Sequence, residues 1–211
     1  MSKRMVLAIT GASGAIYATR LMASLLESDV ELHLTISESG VAVIKQELGF
    51  DVSLAKFDPR ALVEYQPPWS QRPAYELSNQ ANARIHYHHH KDYLTPIASG
   101  SFLTDAMIVC PCSGSTLAGI ARASSSNLIQ RAAEVHLKEH RKLILVPRET
   151  PLSVFALENM HRLAAAGAII LPAMPGWYHG VVDLDSIVDF VVARILDQAG
   201  VRNELIHRWG E

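Results

Sequence analysis

With 211 residues, the chain is long enough for one α/β domain with a sizeable core and short for two. Hydrophobic residues make up 49% and charged residues 19%, which excludes disorder over the bulk of the chain. Lys+Arg number 19 against 21 Asp+Glu, so no basic excess exists to hold a nucleic-acid backbone, and no nucleic-acid partner is expected.

In chain order, residues 5–10 (MVLAIT) are a short apolar run that breaks at Gly11. The run is too short for the apolar core of a signal peptide, and no other stretch is long enough to span a bilayer. Residues 15–26 carry Ile16, Tyr17, Leu21, Met22, Leu25 and Leu26 at helical spacing. Residues 31–36 (ELHLTI) alternate as a strand, and residues 38–48 return to helical spacing through Val41, Ile44 and Leu48. Over residues 51–82, Pro59, Pro67, Pro68 and Pro73 break any long element, and residues 84–87 read as a third strand. Residues 106–110 (AMIVC) are apolar throughout, as a strand buried on both faces is. A helix follows over 127–140 with Asn127 as its cap, then a strand over 142–147 and a helix over 153–166 stopped by Gly167. A strand over 168–171 and a long helix over 183–198 complete the pattern. Strands alternating with helices predict a Rossmann-like, three-layer α/β/α fold with a mostly parallel sheet.

In such folds ligands sit beyond the carboxyl ends of the strands, so the turns that follow strands carry the chemistry. Residues 11–14 (GASG) let a backbone approach an anion and aim helix N–H groups at it, although a tight turn that binds nothing explains them equally well. The dinucleotide fingerprint G-x-G-x-x-G is not satisfied, because Ser13 and Ile16 stand where glycine is needed. Ser113-Gly-Ser-Thr116 offers hydroxyls at a helix start, beyond what one capping serine explains. In Arg148-Glu-Thr-Pro151, Thr150 is expected to cap a helix and Pro151 to occupy its first position, which leaves Arg148 at a strand end as a donor fork for an anion. Arg131 and Lys138 lie seven apart and so share a helix face.

Three patterns are set aside. Tyr87-His-His-His-Lys91 spells the short-chain dehydrogenase motif Y-x-x-x-K, but it lies early and in a run that does not read as a helix. His86, His88, His89 and His90 invite a zinc reading, yet neighbours in an extended segment point in opposite directions and no carboxylate pattern completes a site. A polar surface loop is expected there. Cys110 and Cys112 read as small buried side chains at a strand end rather than a metal or redox pair, and they cannot form a disulfide framework. A soluble, cytoplasmic protein is expected.

Thr10-Gly-Ala-Ser-Gly-Ala15, Cys110-Pro-Cys-Ser113, Asn127-Leu-Ile-Gln-Arg-Ala-Ala133, Leu137-Lys-Glu139, Pro147-Arg-Glu-Thr-Pro-Leu152 and Pro172-Ala-Met-Pro-Gly-Trp-Tyr178 together resemble the UbiX-type flavin prenyltransferases, from Met5 to Trp209. The resemblance implies one flavoprotein domain over 1–211, with a segment over 199–211 that closes the site or contacts a neighbour. It implies reduced FMN as prenyl acceptor and dimethylallyl monophosphate as donor, no metal, alkylation at flavin N5 followed by ring closure at C6, and a dodecamer. The product, prenylated FMN, would serve a UbiD-type decarboxylase such as that of ubiquinone biosynthesis.

By position, the resemblance makes Gly11, Ala12, Ser13, Ser37, Ser113, Gly114, Ser115, Thr116 and Arg148 flavin contacts. Ser99, Gly100, Arg131, Lys138, Tyr178 and Arg194 match the prenyl-phosphate pocket, with Glu149 beside it. Ser13, Glu47 and Glu149 are the catalytic assignments, Glu47 as the carboxylate assisting proton removal around ring closure. Tyr93, Trp177 and Trp209 are aromatic walls. This set has a physical logic. Arg131, Lys138, Arg148 and Arg194 can stabilise a departing phosphate as preorganised charge, and aromatic faces can shield an allyl cation. The rival readings are a flavin-dependent cysteine decarboxylase and a non-enzymatic FMN carrier. The apolar residues of the last helix (Ile187, Val188, Val191, Val192, Ile195) are expected to be covered partly by a neighbouring copy.

Overall fold

A computed structural model describes residues 3–210. The apolar runs become the strands β1 (Arg4–Ile9), β2 (Glu31–Ile36), β3 (Ile85–Tyr87), β4 (Ala106–Cys112), β5 (Lys142–Pro147) and β6 (Ile169–Ile170). All pair in parallel in one sheet of order β3-β2-β1-β4-β5-β6. Met5 to Ala8 and Ala106 to Cys110 are 0% exposed, because helices cover both faces of the central strands.

One face is covered by α1 (Ala15–Glu27), α2 (Glu38–Leu48) and α8 (Leu184–Ala199), whose apolar side chains share a cluster with Met5, Leu7, Leu32 and Ile108. The other face is covered by α5 (Gly114–Ala121), α6 (Leu128–Lys138) and α7 (Val154–Ala165), packed on Val6, Ala8, Met107 and Leu143. The long segment before β3 folds back as two single-turn helices, α3 (Arg60–Val63) and α4 (Asn79–Asn82). This segment presses Leu62, Val63, Leu77 and Ala81 into the first cluster.

The helix starts are decided by local hydrogen bonds. Ser37, Ser113, Asn127, Ser153 and Asp183 each accept a backbone N–H from the first turn of the helix they precede, each worth about 1 kcal/mol. Four expectations need correction. First, Ser153, not Thr150, caps α7, and Pro151 lies outside that helix after a cis peptide bond. Second, the apolar stripe of α8 is covered mostly by its own chain: Val188, Val191, Val192 and Ile195 are buried, and only Ile187 is left half-buried. Third, the histidine run is not a free surface loop. His90 is buried, His88 is half-buried, and burial pushes the His88 imidazole down to about 4. Fourth, a carboxylate does join the run: Glu31 from β2 lies 3.7 Å from His86.

Candidate active site

The sheet order reverses between β1 and β4, and the turns beyond those two strands are stitched together there. Thr10 Oγ1 donates to the Pro111 carbonyl at 2.7 Å and accepts from the Ser113 amide at 2.8 Å. The Cys110–Pro111 peptide is cis. Gly11 passes so close to α2 that a Cβ there would lie 2.5 Å from Ser39 Cβ, so only glycine fits. Gly14 enters α1 with φ at 116°, a left-handed conformation that also favours glycine. The amides expected to point at an anion are partly engaged: Glu47 Oε2 accepts from Gly14 at 2.9 Å and from Ala15 at 2.8 Å.

Around this turn the other strand ends contribute hydroxyls and one cation. Ser37 Oγ accepts from the Gly40 amide at 3.0 Å and meets Ser39 Oγ at 3.1 Å. Ser113 Oγ contacts Ser115 Oγ at 3.2 Å and Thr116 Oγ1 at 3.0 Å, while Gly114 and Ser115 remain exposed at the start of α5. Arg148, just past β5, donates through Nε to the Ser13 carbonyl at 3.2 Å. That bond uses one of the five N–H donors of the guanidinium. Glu149 beside it is exposed. Thus Gly11, Ala12, Ser13, Ser37, Ser113 to Thr116 and Arg148 share one edge of the sheet.

Beyond β6, Tyr178 packs edge-on against Phe190 (5.7 Å between ring centroids) and against Trp209 (5.5 Å). The end of the chain is held there by Arg208, whose guanidinium reaches Asp197 at 2.9 Å and 3.1 Å. Arg194 also binds Asp197, at 2.9 Å, and lines a cavity of about 310 Å³ with Phe190, Pro172 and Met174. Trp177 and Trp209 remain largely exposed.

The remaining assigned residues form a separate group. Arg131 Nε donates to the Ala98 carbonyl at 3.1 Å, and Lys138 pairs with Glu139. A Cβ at Gly100 would meet the Lys138 and Glu139 side chains, and Ser99 Oγ contacts Ser101 Oγ at 2.9 Å. Lys138 ends α6 just before β5 begins, whereas Arg148 follows the end of β5. At about 3.3 Å per residue, the six residues of β5 set the two backbones roughly 20 Å apart. Within a single chain, Lys138 and Arg148 therefore stand at opposite ends of β5. Tyr93 donates its hydroxyl to the Ser125 carbonyl at 3.0 Å.

Thr10 and Ser39 also contribute, although neither was assigned a role: Thr10 opens the glycine turn and Ser39 lies just after β2, but their contacts with Pro111 and Gly11 are tertiary. A cavity of about 500 Å³ between α1 and the segment preceding β3 is lined by none of the assigned residues.

The Flavoprotein family profile matches residues 1–196. The flavin prenyltransferase UbiX of Alkalihalophilus pseudofirmus is 42% identical over 211 residues, covering 100% of this chain and 98% of that protein. The crystal structure of AnUbiX (PadA1) in complex with FMN and dimethylallyl pyrophosphate is 34% identical, with a TM-score of 0.81 over 100% of this chain and 99% of that one. A dodecameric FMN-dependent UbiX-like decarboxylase from Escherichia coli O157:H7 is 38% identical, with a TM-score of 0.78 and 99% of both chains covered. Identity of this order over the whole chain, with the same overall fold, makes this chain a member of the UbiX flavin prenyltransferase family.

Proposed function

We propose that the chain is a flavin prenyltransferase that takes a dimethylallyl group from dimethylallyl monophosphate onto reduced FMN. The observation carrying this reading is the Ser13–Arg148 contact. It brings a glycine turn, serine hydroxyls and a guanidinium to one edge of the sheet. That donor set suits a flavin phosphate and ring: the hydroxyls of Ser37, Ser113, Ser115 and Thr116, the open start of α5 at Gly114, and the planar fork of Arg148. Bound reduced FMN supplies the N5 and C6 atoms that receive the five-carbon unit as the C–O bond to phosphate breaks.

The chain's own residues do the rest. Arg148 and Arg194 offer fixed positive charge to the departing phosphate, and Tyr178 offers a hydroxyl. Tyr178, Trp177 and Trp209 wall the allyl fragment off from water and attract its developing charge. Ser13 and Glu47 hold and move the proton lost when the ring closes, and Glu149 sits beside the phosphate. The segment over 199–211 acts as the cover of this pocket.

Ser99, Gly100, Arg131 and Lys138 join the phosphate pocket by assembly, where one copy presents this cluster to the Arg148 edge of another. The large apolar side chains exposed on α7, Val154, Phe155 and Leu157, support such assembly, and a dodecamer is the arrangement proposed. Among the described residues no helix is long and apolar enough to cross a membrane. The free thiols Cys110 and Cys112 suit a reducing cytoplasm. Both are buried, and burial pushes the Cys112 thiol up to about 12, which argues against the cysteine-decarboxylase reading. The product is expected to pass to a UbiD-type decarboxylase.

Anaerobic incubation with FMN, a reductant and dimethylallyl monophosphate, followed by mass spectrometry of the extracted flavin, tests the reading. The expected result is a gain of one C5H8 unit. Unmodified FMN after full turnover time overturns it in favour of a flavin carrier.

A further inference from the structure

Towards the amino end of the sheet, on the β2–β3 side, three side chains of metal-ligand type meet. Glu31 and His33 are two apart on β2 and therefore share a face. His86 on β3 is in register with His33, which puts it on that face as well. His33 Nε2 lies 3.1 Å from Glu31 Oε1, and His86 Nε2 lies 3.7 Å from the same oxygen. The three ligand atoms all fall within 4.8 Å of one another. A tetrahedral zinc ion with bonds of about 2.0–2.1 Å sets its ligand atoms about 3.3 Å apart. The two shorter separations straddle that value. The His33 and His86 rings stack at 4.8 Å with 27° between their planes, so the half-exposed His86 ring has to turn out of that stack for its nitrogen to reach a shared ion.

The surroundings are those of a supported ligand set. His33 is buried, and its other nitrogen, Nδ1, is 2.9 Å from His88 Nε2, which fixes the ring so that Nε2 faces Glu31. Arg4 grips Glu31 through two bonds of 2.9 Å and 3.0 Å and so orients the carboxylate. Each carboxylate oxygen keeps a second lone pair for a cation. The nearby guanidinium charge opposes a second cation, so binding is weaker than at a buried four-ligand site.

We propose that Glu31, His33 and His86 form a binding site for a divalent transition metal of the zinc class, with water as fourth ligand. Two imidazoles and one carboxylate select such an ion over magnesium or calcium. The ion ties the three-residue edge strand β3 to β2 and takes no part in prenyl transfer. Among the described residues this is the group of His, Cys, Asp and Glu side chains close enough to hold an ion.

The test is calorimetric titration of the metal-stripped, full-length protein with Zn²⁺ at neutral pH, on the wild type, His86→Gln and His89→Gln. His86 is half-exposed, so its replacement leaves the core intact, and circular dichroism checks this. The expected result is one saturable site per chain, weakened at least about tenfold in His86→Gln and unchanged in His89→Gln. Zn²⁺ should also slow amide exchange in β3 of the wild type but not of His86→Gln. No saturable binding, equal binding by His86→Gln, or equal loss in His89→Gln overturns the proposal and leaves the cluster as an Arg4–Glu31 ion pair beside stacked histidines.

Discussion

The Glu47 carboxylate closes the amino end of α1 by accepting the Gly14 amide at 2.9 Å, with the neighbouring Ala15 amide at 2.8 Å on the same oxygen. This residue therefore acts on the turn that carries Ser13 as well as being the proposed proton acceptor. The two roles separate by substitution. Glu47→Ala removes the acceptor and is expected to cost about 1 kcal/mol of stability, as loss of a helix cap does. Glu47→Gln keeps a carbonyl acceptor and should unfold near the wild-type temperature, yet complete the fourth flavin ring at least about tenfold more slowly, a loss typical of removing a general base. Thermal melts and single-turnover mass spectrometry read the two effects. Ring closure by Glu47→Gln at the wild-type rate would show that the carboxylate only holds the turn.

Gly11 gives a steric prediction. A Cβ there would lie 2.5 Å from Ser39 Cβ and 2.6 Å from its Oγ. Gly11→Ala is expected to displace the start of α2 and to weaken FMN binding about tenfold, about 1.4 kcal/mol. Adding Ser39→Gly removes the colliding atoms and should recover part of the loss. Flavin fluorescence titration measures both, and no recovery in the double variant would mean that the backbone of Ser39, not its side chain, sets the limit.

Arg148 donates its Nε to the Ser13 carbonyl at 3.2 Å, a bond that depends on the planar guanidinium. Arg148→Lys keeps the charge but not the fork. It should bind FMN several-fold more weakly and turn over more slowly, and Arg148→Met should lose more of both. Equal behaviour of the Lys variant and the wild type would reduce the role of Arg148 to charge alone.

Trp209 is 83% exposed and touches Tyr178 edge-on, so it adds little to folding. Trp209→Ala should melt within about a degree of the wild type, since exposed substitutions change stability by no more than about 0.5 kcal/mol. Its KM for dimethylallyl monophosphate should rise with FMN affinity unchanged. A matching loss of FMN affinity would place the cover over the flavin instead.

His136 sets a pH dependence. Its imidazole is buried, with Nδ1–H donating to the Ala132 carbonyl (2.7 Å) and Nε2 accepting from the Thr104 hydroxyl (2.9 Å), and burial is the main force pushing it from 6.5 down to about 4. The unfolded chain takes up this proton at higher pH than the folded one. The neutral group's contribution is therefore complete above about 6.5 and is lost as the pH falls towards about 4. Chemical denaturation across that window should show stability falling on acidification, by a few kcal/mol in all. His136→Asn should show a shallower fall than the wild type, and parallel slopes would remove His136 as the cause.

The strand and helix pattern was legible because burial on two faces demands continuous apolar runs such as residues 106–110, and because a cap such as Asn127 is local. The flavin turns were legible for the same reason: a glycine turn after a strand announces itself within a few residues. Local reasoning erred at Thr150-Pro151, where the chain runs on to Ser153 before α7 begins. The sequence by itself settled that alternating apolar runs build a parallel α/β sheet and that its turns carry glycine, serine and arginine. Only the tertiary structure decided which distant side chains meet. It placed Lys138 at the opposite edge from Arg148, set Glu47 on the Gly14 amide, and paired β2 with β3 so that Glu31 and His33 face His86. Those contacts depend on strand register and helix direction, which arise from packing the whole sheet and leave no trace in the spacing of any one segment.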